Sequence, residues 1–149
     1  MSLIGGVRRL RARSGAERRL LVEAVVAVAL ARVAVRLVPM RRTARLLKLK
    51  AGETAAGLEP AQVHDANAVG WAVRAAAARM PWRTTCLMEA LAASALLRRR
   101  RIPATLYLGV ATDGSAADGI AAHAWLCCGE TIVVGRRGHE QFTPVASFS

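Results

Sequence analysis

The sequence predicts an α+β domain in which N-terminal helices are followed by an antiparallel sheet. Three observations carry this. Up to about residue 101 the apolar residues recur at helical spacing. Beyond Pro103 they alternate with a period of two, as in strands. The change falls at a break, Ile102-Pro103, and helices gathered ahead of strands describe an α+β arrangement rather than repeated βαβ units. With 149 residues and 54% hydrophobic content the chain can bury a core, and aromatics at 4% leave that core to Ala, Val and Leu.

Taken in order, residues 1–15 read as a mobile basic arm. A helix is predicted from Ala16 to Val38, with Leu20, Leu21, Ala24, Val25, Val28, Ala31, Val35 and Val38 on a broad apolar face. Pro39 ends it. A short second helix, Met40 to Leu49, carries Arg41, Arg42, Arg45 and Lys48, with Lys50 just after it. Gly52 to Glu59 reads as a linker. This divides the chain into a basic helical N-terminal lobe, residues 1–52, and a core, residues 53–149.

Pro60 suits the first position of the next helix, predicted to Arg79. His64, Asp65 and Asn67 lie on its first turns, where any of them could face a site but capping or a solvated face accounts for them better. Trp71 and Trp82 are read as core residues or as walls of a cleft. Thr84 or Thr85 caps a further helix that starts at Cys86 and has Glu89 in its first turn. Four arginines, Arg98 to Arg101, place cations at its C-terminal end before Ile102-Pro103 stops it.

The strands follow: Thr105 to Val110, a loop Thr112 to Ile120, and Ala121 to Cys127. On the last of these, His123, Trp125 and Cys127 share one face and Ala124, Leu126 and Cys128 the other. A turn at Gly129-Glu130 leads to Thr131–Val134, a loop Arg136 to Glu140 and a final strand Gln141 to Phe148.

Charge is unevenly distributed. The formal net charge is +12, and residues 1–50 hold 13 Lys and Arg against 2 acidic residues. Such a segment suits nucleic acid, an anionic membrane surface or an acidic protein, or is a solvated, arginine-rich helix face with no partner. Aromatics are not interleaved with the basic residues and no recognition helix is evident, which argues against nucleic acid. A peripheral membrane contact through the basic lobe remains an expectation. Glu23, Arg32 and Arg36 interrupt the apolar run from Leu20 to Val38, so a bilayer crossing is not expected. The opening residues lack the pattern of a secretory signal. Three cysteines, two of them adjacent, make no disulfide framework and no zinc spacing, which fits a reducing cytoplasm and no metal or cofactor.

Cys86 and His123 are the candidate catalytic residues. A thiolate attacks where a thiol does not, and a helix N-terminus and a neighbouring imidazole both favour the thiolate. Singly, a cysteine on an apolar helix is a small core residue and a histidine between alanines is a hydrogen-bonded one. Together, one at a helix start and one on a strand, they have the makings of a nucleophile and its base.

The order CLMEALAASALLRRRRIPATLYLGV, a loop, AHAWL, a hairpin and FTPVASF resembles the lasso-peptide biosynthesis B2 proteins. These are small transglutaminase-like cysteine peptidases with a papain-type core, a cysteine helix packed on an antiparallel sheet. The N-terminal RRLRAR…AERRLLVEAVVAVALARVAVRLVPMRR is similar to the helical front end of that family, so the likeness spans nearly the whole chain. It implies a leader peptidase that hydrolyses a precursor peptide at the leader–core boundary, with Cys86 as nucleophile and His123 as base and then acid. The partners implied are that precursor, a leader-binding B1 protein that holds the leader as an added strand, and a lasso cyclase. The family pattern has an acidic third member about twelve residues after the histidine. Here that position is Gly135, which the hairpin brings across from His123, whereas Glu130 sits at the turn and too far away. A backbone carbonyl, a water or another residue then orients the imidazole, or the site is a dyad. The alternative function is a catalytically silent scaffold that presents the precursor to the cyclase.

Overall fold

Three helices begin at a side chain suited to hold the first turn. The computed structural model describes residues 13–46, 52, 57–112, 117 and 119–149. The expected arm up to residue 12, the second helix beyond residue 46 with Lys48 and Lys50, and much of the expected linker and of the 112–120 loop lie outside them. In α1 (Gly15–Leu37) the Ser14 hydroxyl accepts the Glu17 N–H at 3.2 Å, satisfying one free donor of the helix start. After Pro39 comes α2 (Met40–Leu46). In α3 (Pro60–Ala77), Glu59 and Gln62 form a reciprocal capping box with proline at the first position. In α4 (Cys86–Arg99) the Thr85 hydroxyl accepts the Met88 N–H at 3.3 Å.

The end of α4 is set by backbone geometry. Arg101 takes a left-handed φ of 55°, and the Ile102 N–H bonds back to the Leu97 carbonyl at 3.1 Å. This is a Schellman closure, usually made by glycine at the position Arg101 occupies. It turns the chain sharply into the sheet.

Four antiparallel strands follow: β1 (Thr105–Thr112), β2 (Ile120–Cys128), β3 (Thr131–Val134) and β4 (Thr143–Phe148), in the spatial order β3-β2-β1-β4. The α+β expectation holds: helices first, then one antiparallel sheet. The last strand starts two residues later than expected. Gly138, at φ 77°, leads into a 3-10 turn at His139–Gln141 that uses up the start of the expected strand.

The core lies between the helices and one sheet face. Ala24, Val28 and Ala31 of α1, Val69 and Val73 of α3 and Leu91 and Leu97 of α4 pack with Leu106, Ala124, Leu126, Cys128, Val133 and Val134 of the sheet. Gly70 lets α3 approach β3: a Cβ there would lie 2.8 Å from Val133 Cγ1 and closer still to the Val133 carbonyl. The period-two reading of β2 separates its faces correctly. Ala124, Leu126 and Cys128 join the core, while Trp125 stacks on Tyr107 with centroids 5.5 Å apart and on His123 at 5.9 Å. Gly109 makes room for that indole, since a Cβ would lie 2.7 Å from it.

Candidate active site

Cys86 is the first residue of α4 and is half-buried. The Thr85 cap fixes the turn that presents it, and the backbone N–H groups at this end are those an α-helix leaves without an internal partner. His123 lies on β2, opposite Gly109 of β1. On its other side β3 pairs only with Leu126 to Cys128, so among the described residues no strand covers β2 beside His123. The chain leaves β3 after Val134, and Gly135 takes a left-handed φ of 80°.

That turn sets the histidine. His123 Nε2 lies 2.8 Å from the Gly135 carbonyl oxygen. A carbonyl only accepts, so Nε2 carries the proton and the neutral ring keeps its lone pair on Nδ1. The ring is also held by Phe142, with centroids 5.0 Å apart, and by Trp125. Of the ways to orient this imidazole without an acid, the structure uses a backbone carbonyl, that of Gly135.

Cys86 and His123 line one cleft of about 790 Å3. Its walls are Asn67, Arg74 and Ala77 of α3 with Ala78 just past its end, Thr84 and Glu89 beside the start of α4, and Ile132 to Arg137 around the end of β3, without Val134. The thiol and the imidazole share this space without a hydrogen bond between them; such contacts often tighten only when substrate is bound. Glu89 is half-buried, and burial holds its carboxyl above the usual range, partly offset by the Arg74 charge and a hydrogen bond from Thr84. Arg74 also donates to the Val133 carbonyl, so one guanidinium links α3, α4 and the edge of β3. With Arg74, Arg136 and Arg137 around it, the cleft is electropositive.

The other candidates sort clearly. Asn67 lines the cleft, while His64 and Asp65 are exposed outside it. Trp71 lies under the Arg13 guanidinium and Trp82 under that of Arg32, and neither lines the cleft. Cys128 is buried in the core, where desolvation and the neighbouring Cys127 push its thiol up to about 12. The sequence reading missed Arg74, Arg136 and Arg137. The spacing 67, 74, 78 puts three cleft residues on one stripe of α3 and its C-cap, but that this stripe faces the end of β3 is a tertiary fact.

The arrangement can support acyl transfer: a thiol at a helix N-terminus, an imidazole of fixed tautomer and unpaired backbone donors in one cleft. Among the described residues, no helix is long and apolar enough to cross a membrane. No curated protein and no solved structure matches the chain significantly. A cysteine helix set against an antiparallel sheet that carries the histidine agrees with the family model that does match, over residues 24–147, and the chain belongs to the transglutaminase-like superfamily.

Proposed function

We propose that this protein is a cysteine peptidase that removes the leader from a lasso-peptide precursor. The observation that carries the reading is the shared cleft of Cys86 and His123, with His123 Nε2 held on the Gly135 carbonyl. The resemblance of the cysteine helix, the AHAWL strand and the terminal FTPVASF to lasso-peptide B2 proteins supplies the substrate class.

The steps follow from the groups present. Nδ1 of His123 takes the Cys86 proton, and the thiolate attacks the carbonyl carbon of the last leader residue. The oxyanion is met by the Cys86 backbone N–H at the positive end of α4. The tetrahedral adduct collapses as the imidazolium gives its proton to the leaving amine, which becomes the N-terminus of the core peptide. A thioester to the leader remains. Water, deprotonated by Nδ1, then attacks it and releases the leader as a carboxylate with the thiol restored. Throughout, the Gly135 carbonyl keeps the proton on Nε2. The B1 protein supplies the leader in extended form, and the cyclase takes the freed core.

The test is cleavage of the cognate precursor, followed by mass spectrometry, with and without the leader-binding partner. Wild type is expected to give one cut at the leader–core boundary and Cys86→Ala none. A precursor that binds but stays whole with wild type under both conditions replaces this reading with the silent scaffold.

A further inference from the structure

Among the described residues, one side of α1 has no partner in the fold. Ala24, Val28 and Ala31 face the core, yet Val22, Val26, Leu30, Val33 and Leu37 are 63%, 51%, 63%, 50% and 76% exposed. Their spacing of four, four, three and four residues makes a continuous ridge along the helix. A helix apolar on both faces is normally covered on both. Scattered exposed apolar residues need no explanation, but a ridge running most of a 23-residue helix does.

The exposed charges beside the ridge are positive. Arg18, four residues before Val22, and Arg36, three after Val33, are exposed on its shoulder. Arg41, Arg42 and Arg45 continue exposed on α2. Of the two acidic residues nearby, Glu17 is in register with buried Ala24 and Ala31 on the far side. Glu23 is held by Arg100 at 2.7 Å and Arg19 at 3.2 Å. The coverer must therefore be apolar where it meets the ridge and anionic around it. A second copy carries the same arginines and repels them. A ridge that stands out from the fold, with cations spread over two successive helices, suits a flat surface better than a groove.

We infer that α1 is the docking face for an anionic lipid bilayer, lying in its interface with Val22, Val26, Leu30, Val33 and Leu37 inserted and the arginines at the headgroups. The helix lies on the membrane and does not cross it, in keeping with the lack of a spanning helix among the described residues. Docking here is independent of the cleft chemistry, since no ridge residue lines the cleft.

The test uses the full chain in flotation with phosphatidylcholine vesicles and with the same vesicles containing phosphatidylglycerol. Strong binding is expected only to the anionic vesicles and is expected to weaken with salt. Leu30→Glu with Val33→Glu is expected to lower that binding about tenfold or more, since each buried aliphatic side chain is worth about that factor. Arg18→Glu with Arg36→Glu is expected to weaken it comparably. Both variants should keep the wild-type unfolding midpoint, because these side chains point away from the core. Anionic binding that survives the ridge substitutions overturns the proposal. So does sedimentation showing a wild-type dimer that the ridge substitutions dissolve, which would make the coverer a second copy.

Discussion

His123 and Gly135 are joined side chain to backbone: the imidazole Nε2–H donates to the glycine carbonyl across 2.8 Å. The contact depends on what glycine lacks. At φ 80° a side chain is strained, and a Cβ would lie 2.5 Å from the Ala124 carbonyl and 2.7 Å from Trp125 Cα. Gly135→Asp, which installs the acid the family resemblance calls for, is therefore expected to harm the protein. The left-handed backbone and the clash together cost about 2–4 kcal/mol. Urea denaturation reads that loss, and precursor cleavage should fall with it; rescue of activity by aspartate would show that the carbonyl is a poor substitute for the acid.

Arg74 is a tie between elements as much as a cleft residue. Arg74→Ala removes a charged hydrogen bond to Val133, worth about 1 kcal/mol once its exposure is allowed for. It also removes the positive charge that favours ionised Glu89. Arg74→Lys keeps the charge without the fork of donors and should lie between the two in thermal stability. Equal midpoints for all three proteins would remove Arg74 from the account.

Glu89 gives stability a pH dependence of definite sign. Its carboxyl is raised in the folded state, mainly by burial, so the folded protein binds that proton more tightly than the unfolded chain. The contribution is fully present below the unfolded value and is lost as pH rises through the folded one. Glu89→Gln is thus expected to raise the melting temperature near pH 7 and to lose that advantage by about pH 4. A gain that grew on acidification would reverse the sign and contradict burial as the cause.

The two environments predict different thiol reactivity. With its thiol pushed up to about 12 in the core, Cys128 holds only about one part in ten thousand as thiolate at pH 8. Cys86 is partly exposed at a helix start. Iodoacetamide on the native protein, with peptides mapped by mass, should label Cys86 well before Cys128, and denaturant should bring Cys128 up. Equal native rates would contradict the burial of Cys128.

Local signals reached far in this chain. Period, proline placement and capping residues locate α1, α3, α4 and the hairpin of β2 and β3 to within a residue or two, because each is written in its own segment. The same signals put Cys86 at a helix start and His123 on a strand. What they do not carry is contact between distant segments. That Gly135 offers its carbonyl to His123 depends on where β3 stops and how the chain turns there. That Arg74 reaches Val133 depends on how closely Gly70 lets α3 approach. The sequence reading gives α1 one broad apolar face, Leu20 to Val38, and passes over Val22, Val26, Leu30, Val33 and Leu37, which only packing shows to be left exposed.

The ties that shape the cleft also bear on how this protein behaves at high concentration. A sheet ends in two rows of unsatisfied backbone groups, and these invite strands from other molecules to add on. Here one row belongs to β3, only four residues long, with its Val133 carbonyl already taken by Arg74. The other belongs to β4, which contains Pro144, a register shift opposite Leu108/Gly109 and a Ser147 carbonyl bonded to the Gly52 N–H. Neither end offers a clean template for runaway polymerisation, so self-assembly into fibrils is disfavoured at both ends of the sheet even though more than half of the residues are hydrophobic.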